Sequence, residues 1–235
     1  VLKTLGLDGI ETLKPFGIQR FPFHGDTLMV SRTGFTGGLG YELWIPAPLA
    51  LTLWDALYEA GGDYGIHPYG EAATNMARLE AGFIMPYMEF SEALKTVNYQ
   101  HDQSPFELGL DWLVGFRKPH FNGRAALLAE RERGPRYRLT KLDIEGNKVA
   151  EDAILYNNRR CSRQVGYITS AMWSPAAKAN IALAMIETRY LEGDIWAEIY
   201  YPKELRPIRK MARCTVRDKP FWSGPGARQT PPPAT

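Results

Sequence analysis

The sequence predicts an α+β fold that divides into a mixed region over residues 1–133 and a small antiparallel β-barrel over residues 134–222. Two observations support this prediction. The first region alternates strand-like segments with segments of helical periodicity around a glycine-rich turn. The second region contains several short β-branched segments, separated by turn residues at a spacing typical of a barrel or sandwich. Residues 223–235 are rich in Pro, Gly and Thr, and we expect a disordered tail there.

The first region contains two predicted strands and three predicted helices. The strands flank the glycine-rich turn 34–40, and Pro48 stands where a helix can begin. Apolar residues then follow the helical i, i+3, i+4, i+7 rule, and Gly61 ends the helix. In chain order the predictions are strands at 27–32 and 41–46, and helices starting at Pro48, at 70–81 and at 123–133.

The second region contains five predicted strands. Turn residues such as Glu145-Gly146-Asn147 and Glu192-Gly193-Asp194 separate them. The predicted strands cover residues 139–144, 165–169, 181–186, 195–201 and 211–217.

Composition excludes several classes of protein. The 235 residues carry a net charge of +2, which gives no reason to expect nucleic-acid binding. No apolar run approaches the roughly 20 residues that span a bilayer, and the first residues lack a signal-peptide pattern, so we expect a cytoplasmic protein. The histidines have no ligand spacing, and no GxGxxG or P-loop motif is present, so no metal or nucleotide site is predicted. Cys161 and Cys214 lie in strand-like segments and are interpreted as small buried hydrophobic residues.

Glu42 directly follows the glycine-rich turn, on a strand of apolar and aromatic neighbours. Alternation places Glu42 and Trp44 on one side of this strand, and Tyr41, Leu43 and Ile45 on the other. Glycines allow the backbone to approach a flat ligand closely, and a carboxylate in apolar surroundings needs a partner. A long hairpin loop with an exposed Glu is the simpler interpretation.

Two further segments carry polar or aromatic residues in unusual places. Asn75 and Arg78 share one face of the second helix, opposite an inner face of Ala72, Met76 and Leu79. An Arg in the last turn can also act only as a partner of the helix dipole. Trp173 precedes Ser174-Pro175, which places it in a turn, where it either lies over a ligand ring or caps the barrel.

In their order and residue pattern these segments resemble the aminomethyltransferase family, the T-proteins of the glycine cleavage system. Family members carry R-x-G-Y-T-G-E-D-G-[FY]-E, R-D-x-L-R-L-E-A-G, L-x-W-x-V-x-x-x-K with F-x-G, and G-x-[VI]-T-S-G-x-x-S-P. This chain has R-T-G-F-T-G-G-L-G-Y-E at 32–42, T-N-M-A-R-L-E-A-G at 74–82, L-D-W-L-V to F-N-G at 110–123, and G-Y-I-T-S-A-M-W-S-P at 166–175. The resemblance covers nearly the whole chain except its tail.

The resemblance implies a T-protein fold with its C-terminal barrel, and tetrahydrofolate as the cofactor that accepts a one-carbon unit. It implies that Glu42 pairs with the pteridine ring and that Arg78, Phe35, Trp173 and Tyr87 belong to the same folate pocket. It also implies a preceding N-terminal half that supplies the catalytic Asp. No catalytic residue is therefore assigned within this chain, and we expect no turnover by the chain alone.

Departures from the family pattern bear on the substrate. Gly38, Leu39 and Asn75 replace acidic residues, and Phe35 replaces a Tyr. A less acidic pocket favours a folate-dependent demethylase acting on a small-molecule methyl donor, with a cationic donor lying against aromatic rings. The alternative is the glycine-cleavage aminomethyltransferase, whose aminomethyl donor arrives on a lipoyl carrier protein.

Three other interpretations remain open. Folate-binding relatives that assist iron–sulfur assembly carry K-G-C-Y-x-G-Q-E, which is absent here. The chain can also be the folate-binding C-terminal region of an amine dehydrogenase, in which a flavin domain precedes it, or a folate-binding module without chemistry.

Overall fold

The computed structural model describes residues 1–91 and 103–222, and these form two compact units, Val1–Ala81 and Gly82–Trp222. The α+β class is confirmed. The predicted domain boundary between residues 133 and 134 stays a prediction, and the expected tail at 223–235 lies outside the described residues. No helix in the described part of the chain is long and apolar enough to cross a membrane.

The first unit is built on a three-stranded antiparallel sheet with two helices after it. The sheet has the order β1-β2-β3. Its elements are β1 (Ile18–Phe23), β2 (Asp26–Ser31), β3 (Glu42–Trp44), α1 (Ala50–Gly61) and α2 (Glu71–Ala81), with 3₁₀ turns at Ile10–Thr12, Ala47–Leu49 and Gly62–Tyr64.

The core of the first unit lies on one face of this sheet. Leu28 and Val30 alternate along β2 and are fully buried. They pack with Phe21 and Phe23 of β1 and with Leu53 of α1. The side chains between these core positions point to the opposite face of the sheet.

The second unit contains a helix and a closed six-stranded antiparallel barrel. The strand order around the barrel is β4-β7-β6-β5-β8-β9, and β9 closes on β4. The elements are α3 (Arg124–Arg133), β4 (Tyr137–Ile144), β5 (Ile154–Tyr156), β6 (Gln164–Ser174), β7 (Ala179–Glu187), β8 (Ile195–Lys203) and β9 (Arg206–Arg217), with 3₁₀ turns at Asp111–Leu113 and Thr188–Tyr190.

Alternating apolar residues fill the barrel. Ala182, Ala184 and Ile186 of β7 point inward with Ile195, Ala197 and other alternate residues of the remaining strands. Gly166 of β6 permits a close approach of β6 and β7, because a Cβ there would overlap the carbonyl oxygen of Met185.

The structure corrects four details of the sequence-based predictions. Trp173 lies in β6, because pairing with β7 continues to Ser174↔Ala179 and stops only where Pro175 cannot continue it. Cys161 lies in a turn and is only half-buried, whereas Cys214 is buried in β9 as expected. Ala72 is exposed, so the inner face of α2 starts later than predicted. Strands β1 and β5 were not predicted.

Candidate functional site

The glycine-rich turn packs against the end of α2 within the first unit. Gly37 has φ +75°, and a Cβ added to it would lie 2.6 Å from the Cβ of Ala81. Only glycine both adopts this backbone conformation readily and leaves room for the helix end. Phe35 is exposed on this turn.

Glu42 opens β3 and faces a groove on the side of the sheet away from the core. Leu43 packs against the core cluster from the other side of the strand, as the alternation predicts. The groove has a volume of about 280 Å³. Its other lining residues are Phe16, Ile18, Met29, Ser31, Thr33 and Trp44.

The Glu42 carboxylate is half-buried and has a hydroxyl neighbour across the sheet. Ser31 is paired with Glu42 in the β2–β3 register, and its Oγ lies 3.4 Å from Glu42 Oε2. A hydrogen bond of this length is weak. The carboxylate is therefore a strong acceptor at the wall of a mainly apolar groove, which contradicts the interpretation of Glu42 as a fully solvated loop residue.

Arg78 is fully buried in α2, with 0% of its surface exposed. Its Nε–H donates to Asn75 Oδ1 at 2.7 Å, one helical turn earlier, so the predicted shared face is confirmed. Burial argues against the simpler interpretation that Arg78 is only a solvated partner of the helix dipole. Asn75 keeps this hydrogen bond with a neutral amide where the family pattern has a carboxylate.

Tyr87 and Trp173 belong to the second unit. Tyr87 is 57% exposed and has φ +66°, in the loop at residues 85–90. Trp173 is 42% exposed near the end of β6, paired with Asn180. Both rings are partly exposed to solvent.

A buried carboxylate that sequence analysis missed lies beside Tyr87. Glu89 is only 1% exposed and accepts hydrogen bonds from Thr169 and Ser170 of β6. The available signal was the Thr169-Ser170 pair of hydroxyls within the fourth family motif. Among the residues that the structure describes, no group of His, Cys, Asp and Glu could hold a metal ion.

Two family descriptions match this chain. The GCVT N-terminal domain matches residues 9–118, and the glycine cleavage T-protein C-terminal barrel domain matches residues 138–222. The chain belongs to the glycine cleavage T-protein family. The order of the two matches follows the order in which the T-protein motifs occur along the sequence.

Individual aminomethyltransferases are similar to this chain over almost all of its length. An aminomethyltransferase of Caldanaerobacter subterraneus subsp. tengcongensis is 34% identical, over 94% of this chain and 55% of that protein. One from Thermotoga maritima is 31% identical, over 97% of this chain and 57% of that protein. The chain thus spans about half the length of these relatives.

A solved T-protein structure has the same fold as this chain. The crystal structure of glycine cleavage system aminomethyltransferase T from Bartonella henselae matches with a TM-score of 0.75 and 23% identity, over 94% of this chain and 56% of that one. The predicted T-protein fold with its C-terminal barrel is therefore confirmed.

Proposed function

We propose that this protein is a folate-dependent aminomethyltransferase, in which the present chain binds tetrahydrofolate through Glu42. The observation that supports this proposal is the Glu42 carboxylate at the wall of an apolar, Trp44-lined groove in a chain of the T-protein family. Because the chain spans about half the length of its relatives, the activity is proposed for the protein produced from its complete reading frame.

The groove has the chemistry that a reduced pterin requires. A carboxylate accepts two N–H bonds from an aminopyrimidine edge, and this charge-assisted pair fixes the orientation of the ring. The apolar side chains of Ile18, Met29 and Trp44 offer a surface for the ring faces. Tetrahydrofolate supplies the nitrogen that accepts the carbon, and the side chains named here bind and orient it.

Arg78, Phe35, Tyr87 and Trp173 are proposed as further contacts of the same cofactor. Their support is their position in the T-protein motifs, together with the exposed rings of Phe35, Tyr87 and Trp173. The burial of Arg78 suits a guanidinium that orders the pocket wall from inside α2.

The donor is proposed to be an aminomethyl group on a lipoyl carrier protein, which revises the demethylase prediction. The relatives described above are named aminomethyltransferases. The neutral substitutions give weaker support to a demethylase than expected: Asn75 preserves its bond to Arg78, and Gly38 has open space around it.

The test is a product assay on the protein expressed from its complete reading frame. With tetrahydrofolate and aminomethyl-loaded lipoyl protein, we expect methylenetetrahydrofolate and ammonia. Glu42→Ala should raise the KM for tetrahydrofolate roughly ten- to hundredfold, because losing a charged partner of a buried ring costs about 1.5–3 kcal/mol.

Glu59→Ala is the matched control, since Glu59 is an exposed carboxylate on α1 of the same unit. It should leave the KM unchanged. Formation of 5-methyltetrahydrofolate from small methyl donors, with no turnover of the lipoyl substrate, would restore the demethylase interpretation. An unchanged KM in Glu42→Ala would remove Glu42 from the site.

A further inference from the structure

The loop at residues 85–90 holds Tyr87 in a backbone conformation that L side chains rarely adopt. Tyr87 has φ +66°, and such a conformation persists only where its surroundings impose it. The Tyr87 N–H donates to the Phe90 carbonyl oxygen at 2.7 Å. The N–H groups of Met88 and Glu89 donate to the Met85 carbonyl oxygen at 3.2 and 3.1 Å. The loop is therefore a closed turn that projects the Tyr87 ring outward.

The Glu89 carboxylate connects this turn to the barrel. Its Oε2 accepts the Met85 N–H at 2.8 Å, which closes the turn. Its Oε1 accepts hydroxyl hydrogen bonds from Thr169 and Ser170 of β6. A carboxylate that is 1% exposed is tolerated only with such partners. One buried side chain thus fixes both the shape of the turn and its attachment to a strand.

A β-bulge allows two consecutive hydroxyls to reach one carboxylate. Successive residues of a regular strand point to opposite faces, but the β6–β7 register shifts between Ile168 and Ser170, and Thr169 is the extra residue. Thr169 Oγ lies 3.3 Å from Glu89 Oε1 and 3.1 Å from the Leu183 carbonyl oxygen. The Thr169 hydroxyl has one proton for these two acceptors. Ser170 is therefore the stronger hydrogen-bond donor to Glu89.

We propose that Glu89 is a positioning residue that fastens the Tyr87 turn to β6, so that the Tyr87 ring is presented to a flat heterocyclic ligand. This inference rests on the proposed function, which assigns Tyr87 and Trp173 to tetrahydrofolate. It adds a requirement that Tyr87 be held in place by a carboxylate that does not itself contact the ligand.

The test is a double-mutant cycle for tetrahydrofolate affinity in the protein expressed from its complete reading frame. Glu89→Gln retains the size of the side chain but replaces one acceptor oxygen with a donor. The hydrogen bonds of Glu89 to the Met85 N–H or those to the Thr169 and Ser170 hydroxyls are therefore lost. We expect affinity to fall about tenfold. In a Tyr87→Ala background the same substitution should cause no further loss, because Glu89 acts through Tyr87. Ser170→Ala should weaken binding in the same direction, and Ser170→Thr should restore it.

Glu130→Gln is the matched control. Glu130 is a second buried carboxylate of the same unit, and it accepts a hydroxyl hydrogen bond from Ser104 at 2.6 Å. This substitution should lower thermal stability without changing folate affinity. A loss caused by Glu89→Gln that persists in the Tyr87→Ala background, or that Glu130→Gln reproduces, would show a general structural effect and overturn the proposal.

Hydrogen exchange at the amides of residues 85–90 separates this proposal from the proposed function. Glu89→Gln should accelerate exchange in this turn whether or not tetrahydrofolate is the ligand. If the unsubstituted protein fails to bind tetrahydrofolate while exchange still accelerates, the proposed function fails and the attachment of the turn stands. Unchanged exchange in Glu89→Gln would overturn the positioning role itself.

Discussion

The two thiols of the chain have opposite surroundings. Cys214 lies in β9 among the barrel core residues, and burial raises the pKa of its thiol to about 12. Cys161 is half-buried in a turn, where its sulfur accepts an N–H from Arg209 at 2.9 Å and lies 3.7 Å from the Met211 sulfur. Only Cys161 is accessible to a reagent in the folded protein.

Alkylation should therefore be selective for Cys161. At pH 8 a thiol with a pKa of about 12 is ionised in about one molecule in ten thousand, and the thiolate is the reactive form. We expect iodoacetamide to modify Cys161 in the native protein and Cys214 only after unfolding, as measured by peptide mass spectrometry. Cys161→Ser should abolish the fast reaction. Equal native rates at the two residues would contradict the burial of Cys214.

Site prediction at the residue scale depended on local pattern. The side on which Glu42 lies follows from strand alternation, and the Asn75–Arg78 pair follows from helical spacing, so sequence alone was sufficient for both. Glu89 was not predictable in this way. Its hydroxyl partners are about 80 positions away in sequence, and only the folded barrel brings them to it.

At the scale of elements, the accuracy of prediction followed the strength of the local sequence pattern. Elements with strong periodicity, such as α1 and β7, were predicted close to their observed bounds. β1 was not, because Pro22 interrupts its pattern, and proline is tolerated there since β1 is an edge strand. β5 has three residues, too few to show a period.

Gly37→Ala should destabilise the first unit more than Gly38→Ala. An L residue at φ +75° costs about 1–2 kcal/mol, and forcing its Cβ against Ala81 adds about 1–3 kcal/mol. We expect a total loss of about 2–5 kcal/mol in the free energy of unfolding, measured by urea denaturation.

Gly38 is the matched control for this prediction. It has no positive φ, and no atom lies within 4 Å of an added Cβ. Gly38→Ala should change stability by less than about 0.5 kcal/mol. Equal losses for the two substitutions would mean that the turn does not pack on the end of α2 as described.

At the scale of the whole molecule, the chain consists of two units with separate hydrophobic cores. The first unit has the small cluster around Leu28 and Val30, on a sheet whose strands β1 and β3 are edges. The second has the larger barrel cluster, in which closure of β9 on β4 gives every strand two neighbours. A closed barrel has no edge strand that is unpaired along its whole length, so the two units should differ in local stability.

Native-state hydrogen exchange should resolve this difference. Proteins open in cooperative units whose free energies follow local packing, so we expect the β7 amides to exchange most slowly and the β1 amides to exchange through openings of lower free energy. The central strand β2 separates the two possible causes. Like β7 it is paired on both sides, but it belongs to the first unit. If unit membership sets stability, the β2 amides should approach a limit well below that of β7 as denaturant is added. If β2 and β7 instead share one opening free energy, the chain unfolds as a single cooperative body and the separate cores do not act independently.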